Sequence, residues 1–232
     1  MMMRTLLLIA AGIGFGAGAA LAQDQGQASM KSGNFYAGVM AGVVMPEDVS
    51  FSSNASQGGT TVTASGKFEY QPGYSASAYM GYRFNPYLRG EVEGAYARFD
   101  YDKISGNFTL TQGSTNVTVS GSADMDGEVQ SWLGLARGVV SPLGKSKIQP
   151  LLGGGVGVAR HEEKITSIGG TAVSAKADGT DLALEGMAGL EAEVSSSIDL
   201  GIRYRYLWID SGDKGFDDST AHNVVGSVSY RF

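Results

Sequence analysis

The chain has 232 residues, 35 glycines, no cysteine, 43% hydrophobic residues and a formal net charge of −6. A length of this order fits one domain with ample material for a core or a barrel. The lack of cysteine excludes disulfide frameworks, thiol nucleophiles and thiolate metal sites, and an acidic balance with no basic stripe excludes nucleic acid as a partner.

The first element is an address. "MMMRTLLLIAAGIGFGAGAALAQ" carries one positive charge at Arg4, an apolar stretch from Leu6 to Ala20, and then Ala20-Leu21-Ala22. This is the pattern of a secretory signal peptide over residues 1–22, cut between Ala22 and Gln23. Its glycines follow no strand, so they are not a nucleotide-binding fingerprint. Residues 23–33 read as a short periplasmic leader, and 34–232 as one β domain. No later segment has the run of apolar residues that a spanning helix needs, so any crossing of a membrane is made by strands.

From Asn34 onward, about eight segments alternate with period two, separated by Gly/Ser/Thr/Asp-rich stretches. The first, Asn34 to Met45, sets Phe35, Ala37, Val39, Ala41, Val43 and Met45 against Tyr36, Gly38, Met40 and Gly42. The second, near Tyr70 to Phe84, sets Tyr74, Ala76, Ala78, Met80, Tyr82 and Phe84 against Ser75, Ser77, Gly81 and Arg83, and Asn85-Pro86 turns the chain into the third. There Leu88, Val92 and Tyr96 oppose Arg89, Glu91 and Glu93. In the fourth, Gly127 to Val140, Val129, Leu133 and Leu135 share one face and Trp132 falls on the other, which leaves its facing open. The fifth, Ile148 to Arg160, opposes Leu152, Val156 and Val158 to Gly153, Gly155 and Gly157. The sixth opposes Leu182, Leu184, Ala188 and Leu190 to Asp181, Glu185, Glu191 and Glu193, and the seventh opposes Leu200, Ile202, Tyr204 and Tyr206 to Asp199, Arg203 and Arg205. The eighth is "VVGSVSYRF", with Val224, Val228, Tyr230 and Phe232 in phase and Arg231 between them.

The connections alternate in length. Asn85-Pro86, Ser141 to Lys147 and Ser195 to Ser197 are short, whereas Pro46 to Gly66, Asp102 to Gly121, Arg160 to Gly179 and Asp210 to Thr220 are long and polar. Every long connection therefore falls at one end of an up-and-down antiparallel sheet, as in transmembrane barrels with short periplasmic turns and long extracellular loops. A soluble calyx also alternates, but it turns bulky apolar residues inward and charges outward. Here one face carries Gly, Ala, Ser and charges of both signs, which suits a narrow interior, and the other carries the Leu, Val, Ile and Tyr that suit lipid. Arg83, Arg89, Arg203, Arg205 and Arg231 are placed to neutralise Glu91, Glu93, Glu185, Glu191 and Glu193 in the lumen, since an unpaired buried ion costs several kcal/mol. The narrow interior of a small barrel favours a network filling the lumen over an ion pathway.

"FYAGVMAGVVM", "GYRFNPYLRGEVEGAY", "PLLGGGVGVA", "GIRYRYL" and "VVGSVSYRF" together resemble the small outer-membrane β-barrels of Gram-negative bacteria. That family includes the barrel of outer membrane protein A, the opacity adhesins and porin-like surface antigens. The resemblance implies an eight-stranded barrel in the cell outer membrane, surrounded by lipid and lipopolysaccharide. It also implies insertion by the barrel assembly machinery, which reads a closing strand ending in Tyr230 and Phe232. Two histidines, His161 and His222, are the residues that could suggest a metal or an acid–base pair, and their spacing is not that of a zinc site. Asp210, Asp213, Asp217 and Asp218 do not follow a calcium-loop pattern. The expectation is a non-enzymatic surface protein without a cofactor, acting through its loops on a surface or host ligand. A narrow pore is the main alternative, and a lipid-modifying enzyme a weaker one.

Overall fold

The computed structural model describes residues 34–112, 114–144, 146–210, 212 and 217–232; the expected signal segment 1–22, the leader 23–33 and the Ala22/Gln23 junction lie outside them. Ten strands follow one another: β1 (Phe35–Pro46), β2 (Val49–Gln57), β3 (Thr60–Tyr70), β4 (Gly73–Arg83), β5 (Leu88–Gln112), β6 (Thr115–Val140), β7 (Ile148–Ile168), β8 (Thr171–Glu193), β9 (Ile198–Ile209) and β10 (Ser219–Arg231). Eight of them close a ring. β1 pairs antiparallel with β4, β4 with β5, and so on in chain order to β9 and β10. β10 then pairs back on β1, from Tyr36 opposite Arg231 to Pro46 opposite Ala221. Closure gives every strand of the ring two neighbours, the condition for placing a sheet in hydrocarbon.

Alternation decides which side of the wall each residue takes. Val39, Met80, Val92, Leu152, Val156, Ile202 and Val228 point outward and are exposed, while Arg89, Glu91, Arg137, Arg203 and Arg205 point inward and are buried. Tyr87 and Tyr96 bracket the outward stripe of β5. Nine residue steps are about 30 Å along the strand and, at a tilt near 40°, about 23 Å along the axis, the height of an apolar membrane band. Trp132, whose facing the sequence leaves open, points outward beside Tyr96, ring centroids 4.8 Å apart. Val129 and Leu135 are consequently inside.

At one end the turns are tight. Asn85 Oδ1 accepts the backbone N–H groups of Tyr87 and Leu88, both at 2.8 Å, and Ser195 Oγ accepts those of Ser197 and Ile198. At the other end, three of the four connections expected as loops are instead β-sheet. The β5/β6 pairing continues to Gln112 opposite Thr115, and β7/β8 to Ile168 opposite Thr171. The stretch after β1 folds into the β2/β3 hairpin, with β3 pairing on the upper part of β5. The cause is local: these stretches alternate Thr, Val, Phe and Leu with Ser, Asn and Gly, and β-branched residues favour a pleated surface. Of the described residues between β9 and β10, none is in a strand.

Candidate functional site

The lumen is the first place to look, because charges concentrate there. At the tight-turn end, Arg231 Nη2 lies 3.1 Å from Asp199 and 3.3 Å from Glu193, and Arg83 Nη2 lies 3.0 Å from Asp199 and 3.3 Å from Glu191. Glu193 sits at the rim, half-exposed. One layer in, Arg89 Nη1 meets Glu191 at 2.8 Å while its Nη2 donates to Ser141 and Gln149. Tyr36 OH donates to Glu91 at 2.7 Å, and the guanidinium groups of Arg83 and Arg89 stand 5.3 and 5.7 Å from its ring centre.

The middle layer is the tightest. Arg203 Nη1 is 2.9 Å from Glu91 and its guanidinium is 4.8 Å from the Tyr79 ring centre. Arg205 binds Glu185 through Nε at 2.7 Å and Glu93 through Nη1 at 3.0 Å. Arg137, from β6, joins Glu93, Glu185 and Glu91. Among the described residues, the arginines at positions 83, 89, 137, 203, 205 and 231 face the carboxylates at 91, 93, 185, 191, 193 and 199, so charge is balanced one for one. Fixed guanidinium forks on several carboxylates hold their geometry better than flexible lysines would. Above this layer Ser75 and Asn223 bond one another, and higher still Tyr101, Met125 and Val129 pack with Phe68, Tyr70, Phe99, Ile104, Ile165 and Ile168. The lumen thus holds ion pairs in its lower and middle parts and an apolar stopper at the long-strand end.

Asp199 and Arg137 complete the network beyond the residues that the sequence pattern selects: Asp199 lies on the polar face of its segment, and Arg137 lies in the segment whose facing the sequence leaves open. The signal was present: Glu91 lies opposite Arg137 once β5 and β6 are put in register.

The histidines sit at the outer rim. His222 Nδ1 and the Tyr204 hydroxyl are 2.6 Å apart, and its Nε2 is 2.8 Å from Glu47, which also accepts from Thr220 Oγ1 at 2.5 Å. These hydrogen bonds from Thr220 and His222 hold the Glu47 carboxyl below the usual range. They tie the end of β1 to β9 and β10. His161 Nε2 lies 3.5 Å from Asp181. Glu128 joins β5, β6 and β7 through Arg98 at 2.6 Å and Lys164 at 3.0 Å, and its carboxyl is lowered chiefly by the Lys164 hydrogen bond. Among the described residues no three His, Asp or Glu side chains converge as a metal site would require. Asp213 lies outside the described residues, and Asp210 Oδ1 accepts the Gly212 N–H at 3.0 Å.

The chain matches the family model described as outer membrane protein beta-barrel domain over residues 8–232. Among solved structures, Neisserial surface protein A is 19% identical at a TM-score of 0.48, covering 86% of this chain and 97% of that one. The attachment invasion locus protein Ail of Yersinia pestis is 16% identical at a TM-score of 0.44, covering 85% and 98%. The outer membrane protein OprG of Pseudomonas aeruginosa is 16% identical at a TM-score of 0.42, covering 87% and 96%. A search of curated protein sequences finds no match.

Proposed function

Because this chain belongs to the outer membrane protein β-barrel domain family, and so resides in the outer membrane of a Gram-negative bacterium, we propose that it is a non-enzymatic, non-conducting surface scaffold. The closed barrel anchors it among lipid and lipopolysaccharide, and the strand hairpins beyond the Tyr96/Trp132 girdle carry recognition in adhesion or envelope integrity. The observation that supports this best is the lumen: side chains of Arg137, Arg203, Glu91, Glu93 and Glu185 are fully buried against one another across its middle. Buried charges so paired leave no chain of water-accessible sites along which an ion could exchange its hydration shell. Function is then left to rigid elements that present a surface, the usual place for binding. Phe232, whose N–H donates to Phe35 O at 3.0 Å as the ring closes, is on this reading a contact of the barrel assembly machinery.

Replacing residues 104–123 by a two-residue turn tests the placement of function. The trimmed chain is expected to remain a heat-modifiable barrel in the outer membrane while cells carrying it lose attachment to cultured epithelial cells. Unchanged attachment, with loss only on deletion of the whole chain, would move the function into the barrel wall.

A further inference from the structure

Above the girdle, β2, β3 and the outer parts of β5 and β6 form a four-stranded ribbon whose two faces differ sharply. On one face the register aligns Ser52, Ser65, Asn107 and Ser120 in a row, then Asn54, Thr63, Thr109 and Thr118, then Ser56, Thr61, Thr111 and Asn116. Hydroxyls on this face bond across strands, Ser56 with Thr61 at 2.9 Å and Thr109 with Thr118 at 3.0 Å. On the other face the rows are Ala55, Val62, Leu110 and Val117, then Ser53, Ala64, Phe108 and Val119. There Phe108 is 55% exposed and Val119 66% exposed.

Three observations narrow what covers the apolar face. First, residues 49–66 and 104–123 contain no charged residue, no histidine and no proline, although charged residues make up 17% of the chain. A charged ligand finds nothing to pair with there, and a second copy, carrying the same net charge of −6, meets no repulsion at the contact. Second, β2 is the end strand of the sheet order, with Ser50 O accepting the Asp217 N–H at its lower end, and residues 115–123 of β6 lie beyond its pairing with β7, so above those points the ribbon has two edges without the charges or prolines that commonly block edge pairing. Third, four strands about 4.8 Å apart and about nine residues long present roughly 550 Å² per face; two such faces bury roughly 1,100 Å², near the lower bound for specific association.

We infer that this ribbon is a homotypic docking surface: the apolar face of one copy packs on the same face of a second copy held in an opposing membrane. The geometry selects opposing membranes. Phe68 and Ile104, lower on the apolar face, pack on the stopper over the lumen, so the face looks across its own barrel mouth. Two copies side by side in one membrane would have both barrels between their apolar faces. Copies facing each other across a gap can slide one ribbon over the other, with the two-fold symmetry that self-complementary surfaces favour. A contact of this size is weak singly and gains from many copies engaging between two membranes. The inference rests on the surface-scaffold reading and names one partner for it.

The test uses the full barrel chain folded into phosphatidylcholine vesicles, with outward ribbons verified by proteinase K sensitivity and clustering followed by light scattering. Wild-type vesicles are expected to cluster with one another and not with protein-free vesicles. Val119→Lys vesicles and Val119→Glu vesicles are each expected to lose clustering, and a mixture of the two to regain it. Thr118→Lys, on the opposite face, is expected to cluster as wild type, and heat-modifiable mobility shows that each variant is folded. Clustering with protein-free vesicles would make the face a lipid contact and overturn the inference, as would absence of wild-type clustering or failure of the mixed Val119 variants to recover. If clustering fails while trimming residues 104–123 still abolishes attachment to epithelial cells, the homotypic partner falls and the scaffold reading stands.

Discussion

Arg137 stands between Glu91, Glu93 and Glu185, with its side chain fully buried. Removing it leaves those carboxylates facing one another with less compensation, and breaking a buried pair by deleting one partner costs about 3–5 kcal/mol. Arg137→Met is therefore expected to lower the free energy of unfolding, read from urea titration of the barrel in detergent micelles, by an amount of that order, and an unchanged value would contradict the network as a stabilising unit. Gly81 makes a second demand at this scale. A Cβ there would stand 2.2 Å from the Tyr36 ring, which supports Arg83 and Arg89 from below and bonds Glu91. Gly81→Ala is expected to displace Tyr36 and lower stability, while Gly94→Ala, whose Cβ meets nothing within 4 Å, leaves the midpoint in place.

Among the elements, the rim where β1, β9 and β10 end has a pH dependence whose sign can be worked out. Glu47 is held below the ordinary carboxylate range by Thr220 and His222. A carboxyl lowered on folding adds stability above its unfolded pKa and loses it as pH falls through the folded value. Hydrogen exchange at the β1/β10 outer end should consequently accelerate below the ordinary carboxylate range, and Glu47→Gln should flatten that acid response; an identical response in the variant would remove Glu47 from the clasp. The elements also show what a sequence can reveal. The eight ring strands were legible because each alternates a lipid face with a small or charged face over enough residues to fix its phase. The sheet beyond the membrane was not, since its composition resembles that of loops. Yet its tips carried a signal: Gly58-Gly59 and Gly169-Gly170, all with positive φ between 57° and 82°, make the two-residue turns that suit twisted hairpins. Facing in β6 stayed ambiguous because Trp132 and Leu133 are both apolar, and only pairing with β5 separates them. Asp199 and Arg137 show the same limit for the lumen: a charge's partner comes from the neighbouring strand's register, which one strand's periodicity does not contain.

For the whole molecule, closure and balance work together. The ring supplies backbone partners for every barrel strand, the outward stripe meets lipid, and the arginines of the buried layers face an equal number of carboxylates where water is scarce. What extends beyond the girdle is an ordered, uncharged sheet held by the same strands, so the anchor and the presented surface are one continuous structure. The central claim, that the lumen is closed and the surface carries the function, is tested most directly by planar-bilayer recording of the purified, folded chain. A baseline without single-channel steps is expected for the wild type. Persistent steps that change in size with Glu91→Gln or Arg203→Gln would show ions passing through the paired layer and would contradict the account.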